Sequence, residues 1–379
     1  MKKKNVFSVP AVQSVIASLA CVCAGILAGF IALLIIDPSH AGDAMATILK
    51  NFFNYDRPQA QFNYFGNTLV KTAPLIMCSL SVLFSSKTGL FNIGAAGQYT
   101  LAAGVSLYCA LKLQQPWYIC LMAGALSAAF SGALTGVLKA FANVNEVISG
   151  IMLNWISLYS VNLLLIPVKE PTSPYTEKLK TGNPAALLPP SVLSGVLSDN
   201  KYVTIAIPLS IIFAVIIWVI LNKTILGYEL RATGYNKDAA KYSGMKEKVN
   251  IILSLSISGL LAGIGGGFLY LTGFEQWMVT LASVPAMGFN GIAAAYLGGL
   301  DPIGTIFASY FIQHITNGGA YLDKNIYPPQ ISDLISSIII YLCGFVLFLR
   351  TLIIERRRKA ESISGLSAEN DADRGGSGK

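Results

Sequence analysis

Residues 222–250 read NKTILGYELRATGYNKDAAKYSGMKEKVN, a polar, basic island between two long apolar runs, 202–221 and 251–273. The flanking runs suit lipid and the island suits water. Within it Glu229, Leu230, Arg231 and Ala232 favour a helix, and Gly234 is the expected stop, in a left-handed conformation. Residues 237–242 can form a second short helix before Gly244. A plain connector between membrane spans is usually shorter or structureless. Charge alone leaves two readings open: a solvated basic loop, or a helix pair that meets a partner in water.

Outward from this island the composition sets the class. The 379 residues are 54% hydrophobic and 12% charged, about half the charged share of an ordinary soluble protein. Apolar runs long enough to cross a bilayer recur along the chain, whereas a β-barrel would alternate over short segments. The expectation is an all-α polytopic membrane protein with about ten transmembrane helices, the transmembrane domain covering 11–354. Its spans are 11–36, 67–84 (kinked at Pro74), a third ending near Leu111, 117–138, 147–167, 202–221, 251–273, 279–300, 303–316 and 334–354. The eighth, 279–300, is read as interrupted at Pro285, Gly288 and Gly291. The first run is too long for a signal peptide and no clear cleavage site follows it. Residues 1–10 form a basic tip, 37–66 and 168–200 external segments, 223–248 a cytoplasmic segment, and 355–379 a cytoplasmic disordered tail.

Ten spans put both termini on one side. With that side inside, two thirds of the 27 basic residues fall in the cytoplasm, which favours this orientation. The net charge of +8 is thereby a matter of topology, with no nucleic-acid partner implied. The six cysteines, at 21, 23, 78, 109, 120 and 343, lie in or beside apolar runs and read as small buried thiols. They lack metal-site spacing, and no structural disulfide or metal site is expected. No Gly-x-x-x-x-Gly-Lys-Ser/Thr loop, catalytic triad or paired intramembrane carboxylate occurs, so no catalytic residue is assigned.

Polar groups inside a bilayer need a reason. Phe91-Asn92-Ile93-Gly94-Ala95-Ala96 resembles Phe289-Asn290-Gly291-Ile292-Ala293-Ala294, the first opening an outward span and the second in an inward one. Two readings stand: an inverted repeat handling substrate between its halves, or glycines that merely permit close helix packing. Gly259, Gly263 and Gly267 lie on one helix face, a packing surface. Asn145 and Glu146 open the fifth span, with Asn154 deeper on the same face as Glu146. Glu146 is either a favourable charge at a helix N-terminus or part of a polar inner mouth.

Four motifs carry a family resemblance: Gly89–Gln98 (GLFNIGAAGQ), Asn145–Asn154 (NEVISGIMLN), Glu229–Asn236 (ELRATGYN) and, more loosely, Gly288–Ala295 (GFNGIAAA). Together they resemble the nucleoside-type permeases of ABC transporters, within the ribose/branched-chain amino-acid permease group. Ala96 stands where that family often has an acidic residue, so any role of that carboxylate is absent here. The resemblance implies an importer subunit of a bacterial cytoplasmic membrane that translocates nucleosides by alternating access. It is not itself an enzyme and binds no cofactor. Its implied partners are an ATP-binding cassette ATPase holding ATP and magnesium, a second permease, an external substrate-binding (lipo)protein and the lipid bilayer. The implied substrate pathway comprises Phe91, Asn92, Gln98, Glu146, Asn154, Phe289 and Asn290. The implied ATPase-coupling residues are Tyr228, Glu229, Leu230, Arg231, Ala232, Thr233, Gly234 and Asn236. A permease for a simple sugar or branched-chain amino acid, or an ATPase-independent transporter, would share most of these features.

Overall fold

The computed structural model describes residues 10–323, with side chains from Ile16 onward, and beyond them only positions 326–327, 334, 337–338, 341–342, 345 and 351. The expected tip 1–10, tenth span 334–354 and tail 355–379 lie almost wholly outside the described residues. In chain order the helices are α1 (Pro10–Ile36), α2 (Ala41–Lys50), α3 (Pro58–Lys87), α4 (Ala95–Leu111), α5 (Trp117–Ala142) and α6 (Glu146–Leu164). Then come short α7 (Leu179–Gly182) and α8 (Leu193–Val196), α9 (Ala206–Lys223), α10 (Ile225–Tyr235), α11 (Lys237–Tyr242), α12 (Glu247–Tyr270), α13 (Ala286–Leu297) and α14 (Pro302–Gly319). The chain is an all-α, polytopic membrane protein. Among the described residues six helices, in α1, α3, α5, α6, α9 and α12, are long and apolar enough to cross a membrane.

The centre of the bundle is made by α3, α4 and α12. Their contacts run through Met77, Leu80, Phe84, Tyr99, Leu261 and Phe268, all buried. The α12 helix packs most extensively on α5, where Gly259 and Gly263 let its backbone approach Ala128 and Ala125. Gly267 instead lies against the Leu121 side chain. Around this centre, α1, α5, α6 and α9 turn rows of large apolar side chains outward, such as Leu27, Phe130, Ile156 and Ile212. That distribution suits a hydrocarbon solvent, in which apolar side chains cost nothing to expose. Cys23 shares the outward position on α1, so the five described cysteines are free thiols but not all buried.

The third span begins at Ala95, after a non-helical turn. One helix falls short of its expected span. The eighth is α13 alone, 12 residues, with 279–285 outside any helix. Twelve residues make about 18 Å of helix, short of a hydrocarbon core of about 30 Å. Gly288 and Gly291 are not interruptions: both lie inside α13 and press on Ala96 and Cys78. The break precedes Pro285, which caps α13 and biases Val284 to an extended conformation.

The segments joined by α9 lie at its opposite ends, 165–205 before it and α10–α11 after it. At the first end Lys71 pairs with Glu275 at 2.8 Å and also lies over the Phe274 ring. At the same end Thr176 donates its amide to the Trp277 carbonyl at 2.8 Å, and buried Trp277 donates Nε1–H to Asn162 at 2.9 Å.

Candidate functional site

The turn between α3 and α4 starts at Gly89, whose φ of +71° is a left-handed conformation that side chains disfavour. Leu90 donates its amide back to Ser85 at 3.1 Å, closing the turn. Asn92 then points inward. Its Nδ2 donates to Ser258 Oγ at 2.7 Å and to Gln98 Oε1 at 2.8 Å, and Ser258 Oγ donates to the Ser81 carbonyl at 2.7 Å. Asn92, Gln98, Ser81 and Ser258 are all buried, so this network ties the turn to α3, α4 and α12. From α6, Asn154 holds the same turn: Oδ1 accepts the Gly97 amide at 2.7 Å, and Nδ2 donates to the Ile93 carbonyl at 3.1 Å. A buried polar group is costly unless paired, and these amides have partners within the chain.

The structure brings only three of the pathway residues together. Asn92, Gln98 and Asn154 are brought together around the turn and are occupied by chain contacts. Phe91 is half-buried, its ring 6.5 Å from that of Tyr296 on α13. Phe289 is exposed and Asn290 half-buried on α13. Glu146 sits at the N-terminus of α6 and pairs with Lys139 at 2.8 Å, while Asn145 accepts the Val147 amide and caps the helix. Of the pathway residues Glu146 alone lines a cleft of about 400 Å³, which it shares with Gly89, Lys139 and Gly234 of α10.

The polar island forms two helices. Thr224 caps α10 by accepting the Gly227 amide at 3.1 Å, and Asn236 caps α11 by accepting from Asp238 and Ala239, each at 3.0 Å. Gly234 does not end α10 in a left-handed conformation, as its sequence position suggested; α10 continues through Tyr235. Its lack of a side chain serves a close approach instead, with its backbone against the Lys87–Gly89 turn. The left-handed glycine is Gly244, with φ +84°, after α11. Of the coupling residues, Leu230 and Thr233 face inward. Thr233 accepts from Asn250 Nδ2 at 3.0 Å, which binds α10 to α12. Arg231 is half-buried and donates Nε–H to the Gly227 carbonyl at 3.2 Å; Glu229 and Ala232 are half-buried too. Tyr228 and Asn236 face outward.

Sequence reasoning passed over Tyr235 and Tyr242, which are 92% and 93% exposed. Their signal was present as a seven-residue spacing, Tyr228, Tyr235, Tyr242, in a segment whose other large outward apolar groups are Ile225 and Val249. It also passed over Ser81 and Ser258, which carry no local mark of their pairing across the bundle.

Residues 64–344 match the family described as the branched-chain amino acid transport system / permease component. The chain belongs to this family. As a permease component it is a part of a transport system and not an enzyme. Among the curated permease proteins similar to it is the guanosine ABC transporter permease protein NupP of Bacillus subtilis, 34% identical over 282 residues, covering 73% of this chain and 80% of the relative. The nucleoside ABC transporter permease protein NupB of Lactococcus lactis is 34% identical over 286 residues, covering 73% and 78%. The glucose ABC transporter permease protein TsgB13 of Haloferax volcanii is 28% identical over 290 residues, covering 73% and 75%. No solved structure matches this permease component. The α3–α4 turn, the start of α6, α10 and α13 all fall inside the matched family region.

Proposed function

We propose that this chain is the permease subunit of an ATP-driven importer that moves nucleosides across a bacterial cytoplasmic membrane. The observation that carries the reading is the 34% identity to guanosine and nucleoside permease proteins over 73% of the chain. The geometry adds a route for coupling. In this reading α10 and α11 present Tyr228, Tyr235 and Tyr242 to an ATP-binding cassette ATPase, which holds ATP and magnesium. Movement of α10 passes through Gly234 to the Gly89 turn, and from there through Asn92 and Asn154 to α4 and α6. A second permease and an external substrate-binding (lipo)protein complete the transporter.

Both termini lie in the cytoplasm in this reading, with ten spans once 334–354 is included. The helices α4 and α13 are corresponding parts of an inverted repeat: each is short, each follows a non-helical stretch, and their first turns touch where Gly288 meets Ala96. The relation to a glucose permease protein supports a sugar importer as the second reading. Uptake of labelled nucleosides and sugars by the complete transporter decides between them. Saturable nucleoside uptake, abolished when the ATPase is inactivated, is the expected result. Sugar uptake without nucleoside uptake would replace the substrate, and uptake independent of the ATPase would overturn the importer.

A further inference from the structure

At the end of the bundle opposite α10 and α11 lies a cavity of about 420 Å³, within the size range of small-molecule sites. It reaches down to Leu107, about 6 Å or one turn below the end of α4. Its walls come from three separate stretches, 176–180, 201–202 and 272–276, together with Leu187. These walls are tied to one another. Thr176 donates its amide to the Trp277 carbonyl at 2.8 Å, and Leu188 donates its amide to the Leu271 carbonyl at 2.9 Å. The Tyr202 and Phe274 rings meet edge to face, with centroids 5.2 Å apart.

Leu107, Leu179 and Leu187, with the Tyr202 and Phe274 rings, supply the apolar part of the lining. The charged part is Lys178, Lys180 and Lys201, all exposed, against Glu177 and Glu275. Glu275 is already matched by Lys71 at 2.8 Å. Three ammonium groups therefore stand against one carboxylate, and none of the three pairs with an acid among the described residues. A concave site with an excess of one charge draws ligands of the other sign. The apolar lining favours an anion that carries a ring over a bare ion.

The occupant arrives from water. Leu107 and 272–276 lie at the ends of α4 and α12, in the centre of the bundle. Among the described residues no lining side chain belongs to α1, α5, α6 or α9, whose outward rows suit lipid.

We propose that this cavity binds a water-borne organic phosphate with a flat ring. Lys178, Lys180 and Lys201 hold the phosphate as point charges, and Tyr202, Phe274 and the leucines take the ring. A ligand there bridges the connections before α9 and after α12. The site does not depend on the nucleoside-importer reading. Its external placement rests on the proposed orientation.

The test measures binding of adenosine 5′-monophosphate (AMP) to the complete transporter in nanodiscs of zwitterionic lipid, beside adenosine and inorganic phosphate. AMP carries both ring and phosphate, and each of the others carries one of them. Wild type is compared with Lys178→Gln/Lys180→Gln/Lys201→Gln, so nucleotide sites on the ATPase, common to both, cancel. The three lysines are exposed, and their replacement should leave the fold intact. AMP should bind at this site at least tenfold more weakly in the triple variant, and more weakly at high salt. Lys112→Gln, an exposed lysine outside the cavity, should bind as wild type does. Adenosine should show no difference between wild type and triple variant, and phosphate should bind at least tenfold more weakly than AMP. Equal AMP binding by wild type and triple variant would overturn the proposal. Phosphate binding as tightly as AMP would mean an adventitious ion only, and displacement of AMP by phosphatidylglycerol would make the occupant a lipid; either overturns it. So would docking of the external binding protein that is lost in the triple variant when wild type binds no AMP, the mark of a protein contact. In sealed right-side-out vesicles external AMP should reach the site. Binding only after the vesicles are opened would uphold the site and overturn the orientation, so the two failures are distinguishable.

Discussion

Gly234 of α10 and Gly89 of the α3–α4 turn touch backbone to backbone. A Cβ built on Gly89 would lie 2.8 Å from the Gly234 carbonyl oxygen, and one built on Gly234 would lie 2.8 Å from the Gly89 nitrogen. Neither obstacle is a side chain that could swing away, so the backbones themselves would have to separate. The polar helix pair is thereby in register with the turn that starts α4.

Gly234→Ala and Gly234→Val should each force α10 off the turn. Overpacking a tight contact costs about 1–3 kcal/mol, and the larger side chain should act more strongly. Uptake by the assembled transporter is expected to fall at least tenfold for Gly234→Val, with membrane insertion unchanged. Ordinary uptake by both variants would mean that α10 and the Gly89 turn move independently.

Asn92→Leu and Asn290→Leu should have different consequences, although their sequence contexts are alike. Asn92 donates to Ser258 and Gln98 in a buried network, and each buried partner stranded by its loss costs about 1–3 kcal/mol. The purified Asn92→Leu permease should unfold several degrees earlier and transport poorly. Asn290 is half-buried on α13, so its leucine variant should keep its thermal stability while uptake changes. Equal stability of the two variants would remove the distinction between an amide that positions the turn and one that the fold does not need.

The lipid-facing architecture was legible because long apolar runs have few alternatives to membrane helices, and the α10–α11 pair because a polar island stands out between them. The start of α13 was not. Val279, Leu281, Ala282 and Val284 keep the segment apolar, so hydropathy continues where the helix does not. Gly234 was misread for a related reason. A glycine after a helical run looks like a terminator, and its contact with Gly89 spans two segments far apart in sequence. The inward turn of Asn92 depended likewise on Ser258, which only the packing of α12 on α3 supplies.

Orientation is testable at two highly exposed sites flanking α9. Val192 is 94% exposed and Tyr235 is 92% exposed. Single cysteines at these positions, in a cysteine-free permease, should divide cleanly with an impermeant reagent on intact cells. Labelling is expected at Val192→Cys and absent at Tyr235→Cys until the membrane is opened. The reverse pattern would put α10 and α11 outside and rule out their contact with a cytoplasmic ATPase.

The same helix pair yields the test of coupling. Tyrosines that become buried at an interface commonly supply a large part of its energy, with losses of about 2 kcal/mol on truncation. Tyr235→Ala and Tyr242→Ala remove large, exposed side chains without disturbing α10 or α11 internally, since neither ring is packed within the chain. Each should weaken ATPase binding by about thirtyfold if it docks centrally. Arg231→Glu should act in the same direction by reversing a half-buried charge at the proposed docking surface. Thr233→Val is the contrasting variant: Thr233 faces α12 and accepts from Asn250 at 3.0 Å, so its loss should lower permease stability and leave the docking surface intact. If the island is only a solvated anchor, one tyrosine or one charge should matter little. ATPase binding and substrate-stimulated ATP hydrolysis would then stay normal in Tyr235→Ala, Tyr242→Ala and Arg231→Glu alike, and the coupling role of α10 and α11 would fall.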